Sequence, residues 1–239
     1  MSDKFVAAGD SWLVDLPFDF ATGGGLAKAL FGRIMGVNYV NLSHAGDSTE
    51  ELMGLAMASK LEANLPDAKI LLFSGGGDDF AGDQFEIWLN DNTDNDVTKA
   101  VNFDRLNSGL DLTIADYERL IEIRDKVAPD CIIVTHTYDF PPAEVLGCGV
   151  LTMGPWLKPG MVHRGWLEPV QQVAIVETVL KAFRDRLMVF AEGKRLFLVA
   201  DTQGTCASDG WANELHLKAS GCYKVAQVIN EKLLSQLAG

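Results

Sequence analysis

The feature that most constrains this chain is a rhythm. Five short runs that are apolar almost throughout (residues 4–8, 37–42, 69–74, 131–136 and 195–200) alternate with longer stretches of helical character. A strand with one wet face alternates apolar and polar side chains. A strand apolar on both faces needs cover on both, as in a parallel sheet packed between helices. Leu26, Leu30 and Ile34 recur at helical spacing after the first run, and further helices are expected over 48–65, 113–127 and 168–190. Val225, Ile229, Leu233 and Leu237, spaced by four, predict an amphipathic final helix. This alternation predicts right-handed crossovers and a doubly wound α/β domain with five parallel strands. A chain of 239 residues can bury a full core without staples. No repeat or linker divides it, so residues 1–239 are read as one domain.

Composition then narrows the partners. The 20 Lys and Arg against 33 Asp and Glu give a net charge of −13. Such a field repels phosphate backbones and anionic lipid, which argues against nucleic-acid and membrane-surface roles. No run of about 18 apolar residues could span a bilayer. The start, Met1-Ser2-Asp3-Lys4-Phe5, lacks the pattern of a signal peptide, so a cytoplasmic setting is expected. Cys131, Cys148, Cys206 and Cys222 form no C-x-x-C pair and are read as reduced thiols, with no metal site.

In a doubly wound sheet the site lies outside the carboxyl ends of the strands. The segments to inspect therefore begin at Gly9, Ser43, Ser74, His136 and Asp201. Two stretches break the rhythm. Residues 90–112 are polar and read as an irregular excursion; residues 91–96 look superficially like a calcium loop but lack its glycine at the sixth place and its glutamate at the twelfth. Residues 138–166 carry Pro141, Pro142, Pro155 and Pro159 among Phe140, Trp156 and Trp166. Long loops in compact domains are often lids, and this aromatic one is expected to form a wall or lid over an apolar substrate.

Gly9-Asp10-Ser11 directly follows the first run, which would hold a serine at the carboxyl edge of the sheet. The same tripeptide recurs as Gly46-Asp47-Ser48, so the motif alone does not choose a nucleophile. A serine also needs a base, and the chain has four histidines: His44, His136, His163 and His216. His216 follows the fifth run within an acidic segment and is expected at the same edge as Ser11. Backbone amides at Gly9, Gly46 and Gly75-Gly76-Gly77 would converge there, as an oxyanion hole requires. No G-x-S-x-G elbow, H-E-x-x-H helix or Walker loop competes, and Gly23-Gly24-Gly25 does not extend to a dinucleotide fingerprint.

The ordered set Gly9-Asp10-Ser11, Gly46, Gly76-Gly77-Asp78-Asp79 and the segment ending at His216 resembles the GDSL-type, or SGNH, hydrolases, over nearly the whole chain. The resemblance implies a three-layer α/β/α sandwich with a flavodoxin-like sheet. It implies a carboxylic ester hydrolase working through an acyl-enzyme on Ser11, with His216 as general base and no cofactor. Ser11 and Gly46 would supply oxyanion N–H groups, with Asp78 in the third block. Tyr138-Asp139-Phe140-Pro141 and Gly154-Pro155-Trp156-Leu157 look like the substrate-side segments of some bacterial members, so Tyr138 and Trp156 are expected to line the pocket. The partner implied is a small-molecule or lipid-like ester. Two positions depart from the pattern. Asp78 stands where the family has asparagine, and only a protonated acid could donate there. Asn213 stands where the family has an aspartate three before the histidine, and Leu217 replaces the usual following proline. Asn213 can hold the tautomer without supplying charge; Asp209 or Glu214 could substitute, with Asp209 preferred because a loop can bring it round. These departures leave two rival readings: a non-catalytic binding module of the same fold, and an acyltransferase.

Overall fold

The computed structural model describes residues 3–14, 25–149 and 153–238. Met1, Ser2, Gly23, Gly24 and residues 150–152 of the long loop lie outside the described residues. The five apolar runs form one parallel sheet: β1 (Lys4–Gly9), β2 (Val40–Asn41), β3 (Ala68–Ser74), β4 (Ile132–His136) and β5 (Phe197–Ala200), in the order β2-β1-β3-β4-β5. Val6, Ala7, Ala8, Leu71, Leu72, Ile133 and Val134 are fully buried, as strands covered on both faces must be. β2 is shorter than its apolar run: it is an edge strand paired only at Val6↔Val40 and Ala7↔Asn41. Strand order reverses between β1 and β3, and the register Gly9↔Ser74 brings their carboxyl ends flush. That switch point is where a ligand crevice opens in such sheets.

Helices cover both faces. A π-helical segment (Lys28–Ile34) and α6 (Ala219–Leu237) pack together on one side. On the other lie α1 (Thr49–Met53), α2 (Leu55–Asn64), α3 (Phe103–Val127) and α5 (Pro169–Ala191); a short α4 (Lys158–His163) sits in the long loop. The helix expected over 48–65 divides at Gly54, which is extended (φ −61°, ψ 158°). The larger correction is α3, which begins ten residues earlier than expected. Asn102 caps it by accepting the Arg105 N–H, and Leu106, Leu110, Thr113, Tyr117 and Leu120 make one buried stripe. A polar outer face hid that stripe, and the irregular excursion shrinks to residues 90–102. The buried Arg124 guanidinium then fastens the end of α3 to the sheet, donating to the carbonyls of Cys131, Arg195 and Leu196 at 2.7–3.0 Å.

Candidate active site

The turn after β1 is braced by β3 and by buried hydrogen bonds. A Cβ on Gly9 would stand 2.2 Å from the Ser74 carbonyl oxygen, so only glycine lets β1 end so close to β3. The Asp10 N–H donates to that same carbonyl at 3.0 Å, and the Asp10 carboxyl accepts from the Trp12 N–H (3.0 Å), the Ser74 hydroxyl (2.8 Å) and the Tyr138 hydroxyl. Burial raises the Asp10 pKa while these donors pull it back. His136 extends the network. Its Nδ1 accepts the Tyr138 N–H at 3.2 Å, so Nε2 carries the proton and donates to Ser74 at 2.9 Å. Burial pushes this ring down to about 3, so it stays neutral and serves as a strut. Ser11 thus sits on a turn fixed from beneath.

His216 reaches that turn from 205 residues away: its Nε2 is 2.9 Å from the Ser11 hydroxyl. The Asn213 side-chain oxygen accepts from the backbone N–H groups of Leu215 and His216, each at 2.9 Å, and from Nδ1 at 3.0 Å. A proton held on Nδ1 leaves the Nε2 lone pair facing the serine, the tautomer a general base needs. Burial lowers the His216 pKa to about 4, so the ring is neutral at neutral pH. Trp12, next to Ser11, ties the two loops together. Its indole N–H donates to the Leu215 carbonyl at 2.9 Å, and its ring stacks on His136 with centroids 5.1 Å apart.

The acidic candidates for a third member are not beside the ring. Asp209 is 84% exposed, with its carboxyl 4.0 Å from Lys224. The loop carries it outward, correcting the expectation that it would turn to His216. Glu214 is buried and engaged elsewhere: its carboxylate accepts the N–H groups of Gly147 (2.6 Å), Trp156 and Leu157 (2.6 Å). It therefore pins the long loop against the segment that carries the histidine. The group at Nδ1 is Asn213.

Asp78 follows β3 and faces the same cavity as Ser11. Its carboxyl has no hydrogen-bond partner among the described residues. Burial, helped by the charges of Asp10, Asp79, Asp47 and Glu51, pushes its pKa up to about 8, so it is mostly protonated at pH 7. Gly46 lies at the same edge, with φ +89° and open space on its Cβ side. The Ser11 and Gly46 N–H groups donate to no acceptor among the described residues. Tyr138 lines the cavity; Trp156 does not, and instead stands edge-on to His216 at 5.5 Å. The pocket wall expected from Trp156 is supplied mainly by α5 and residues 78–85.

The remaining look-alikes separate cleanly. Ser48 caps α1 in a reciprocal box with Glu51. His44 pairs with Asp47 at 2.6 Å and His163 with Glu86 at 2.6 Å, both rings largely exposed. Trp12 and Ser74 were not singled out as site residues from the sequence, and Glu214 was named there only as a substitute partner for His216, not as the anchor of the long loop. No local pattern marks them, because each acts across more than 50 residues of separation.

The sequence matches no family model and no curated protein. Solved structures do match. The lipase Lip_vut3 from a goat rumen metagenome superposes with a TM-score of 0.63 at 11% identity, covering 97% of each chain. An extracellular lipase from Streptomyces rimosus gives 0.60 at 15% identity, over 97% of this chain and 100% of its own. A carbohydrate esterase family 3 protein from Talaromyces cellulolyticus gives 0.59 at 11%, over 99% of each. At such identities the likeness shows architecture: the chain has the SGNH-type α/β hydrolase fold.

Proposed function

We propose that this protein is a serine hydrolase of carboxylic esters. The observation that carries the reading is the contact of Ser11 with His216 at 2.9 Å, with the imidazole held by Asn213 in the tautomer that can accept the hydroxyl proton. The solved structures of this fold that bear lipase and esterase names lend support. Ser11 Oγ attacks the acyl carbon as His216 Nε2 takes its proton. The same proton passes to the departing alkoxide as the acyl–oxygen bond breaks. Water, deprotonated by His216, then attacks the acyl-enzyme, and the proton returns to Ser11 as the acid leaves. The Ser11 and Gly46 N–H groups, with the protonated Asp78 carboxyl as a third donor, hold the oxyanion. Asn213 orients the ring but gives the imidazolium no opposing charge.

The test is kinetic. Ser11→Ala and His216→Ala should each lower kcat on a nitrophenyl ester by about 10³-fold or more, while Ser48→Ala stays within about twofold. Loss of activity at Ser48, or survival at His216 with collapse at His136, would overturn the assignment.

A further inference from the structure

The cavity beside Ser11 lies between residues 76–85 and α5. Val176, Val179, Leu180 and Phe183 recur along one face of α5 and form one side; Phe80 and Phe85 form the other. Phe183 fits into this lining because Gly76 carries no side chain: a Cβ there would stand 2.7 Å from the Phe183 ring. Four carboxyl groups also line the space, and three are already engaged. Asp10 is saturated by Trp12, Ser74 and Tyr138. Asp139 accepts the N–H groups of Phe140, Gly204 and Cys206. Glu214 accepts those of Gly147, Trp156 and Leu157. Only Asp78, at the Ser11 end, lacks a partner among the described residues. The Trp211 indole N–H, also in the lining, is the other polar group without a partner among the described residues; apart from these two the cavity offers a ligand mainly apolar surface.

We propose that this cavity is an acyl site for esters of straight aliphatic acids longer than acetate, with the α5 face at Val179 setting the chain length. The proposal rests on the serine-hydrolase reading and goes beyond it by naming the substrate class and the residues that select it. A longer acyl chain has methylenes to lay against the apolar α5 side chains, which an acetyl group lacks. Each methylene moved from water onto such a wall is worth roughly fourfold in binding, and chain-length preference follows when that contact persists in the transition state.

The experiment compares kcat/KM for nitrophenyl acetate, butyrate and octanoate in the wild-type protein, Val179→Phe and Val179→Ala. The wild type is expected to favour butyrate or octanoate over acetate by tenfold or more. Val179→Phe fills the cavity and should lower the octanoate-to-acetate ratio at least tenfold; Val179→Ala deepens it and should raise that ratio, which keeps the test alive if the larger side chain impairs folding. A wild type that favours acetate, or a ratio unmoved in either variant, overturns the proposal. Should no ester turn over and no fluorophosphonate label appear, the hydrolase reading fails by itself. The cavity is then tested by titrating octanamide against acetamide on the fluorescence of Trp12 and Trp211, which line it. At least tenfold tighter octanamide binding, weakened by Val179→Phe, upholds the apolar acyl site; equal binding overturns it.

Discussion

At the residue scale, two groups set how the site should respond to pH. His216 must be neutral to accept a proton, and burial lowers its pKa to about 4, so activity should fall only as pH drops through that value. Asp78 must be protonated to donate, and its pKa is raised to about 8, so activity should decline as pH rises through it. The expected kcat/KM profile is a plateau bounded near these two values. Asp78→Asn replaces a titrating acid with a permanent donor and should abolish the alkaline limb while leaving the acid limb in place. A single oxyanion donor is worth about 10²–10³ in kcat, so the gain above pH 8 should be plain in stopped assays from pH 4 to 10. An unchanged profile would mean that backbone amides alone form the hole. The sequence carried Ser11, Gly46, Asp78 and His216 as a set because each follows a strand in the expected order. It offered Asn213 as one of three candidates for the partner at Nδ1 but did not choose it. Charge arguments favoured Asp209, yet three-residue loop geometry turns Asn213 to the ring and leaves Asp209 in solvent.

At the element scale, what positions the site is a set of crossings between segments distant in sequence. β1 and β3 meet flush at Gly9 and Ser74, Trp12 joins the Ser11 turn to the loop of His216, and Glu214 holds Gly147, Trp156 and Leu157 beside it. Glu214→Ala would leave three backbone N–H groups unpaired, at about 1–3 kcal/mol for each one kept from water. The expected result is a loss of roughly 2–5 kcal/mol in urea unfolding with KM raised by about tenfold and kcat lowered less. A variant with wild-type stability and KM would show that the loop holds its place without this carboxylate. Strands and the last two long helices were legible because their apolar spacing is uninterrupted. The first three turns of α3 were not: their outward side chains (Asp104, Arg105, Asn107 and Asp111) dominate the local composition, while burial of Leu106 and Leu110 is decided by segments that come from elsewhere in the chain.

Across the whole molecule, the acids buried at the carboxyl edge make folding itself depend on pH. In the unfolded chain Asp78 gives up its proton near 4; in the folded chain it keeps it to about 8. Between those values the unfolded state is favoured by ionisation, so this group's penalty grows as pH rises from 4 to 8 and levels off above. His216 acts in the opposite direction, costing stability as pH falls from about 6.5 toward 4, because only the unfolded ring takes up the proton readily. The difference between wild type and Asp78→Asn isolates the first effect. The variant's gain in Tm should widen by about 2 °C or more between pH 5 and pH 8, measured by scanning calorimetry. A constant difference would place the ionised carboxyl in water rather than in the site. The fold class was readable at this scale because a sheet buried on both faces writes itself as unbroken apolar runs, whereas which acids end up buried at its carboxyl edge depends on loops whose spacing carries no period.

On the proposed mechanism a single serine, Ser11, is the nucleophile, activated by His216. The most direct test of that assignment is incubation of the intact protein with a fluorophosphonate, followed by whole-protein mass spectrometry and mapping of the modified peptide. One equivalent of label should be found on Ser11, with labelling slowed at least a hundredfold in His216→Ala and absent in Ser11→Ala. Label on Ser48 or another serine, or no label on a folded protein, would rule out Ser11 as the nucleophile.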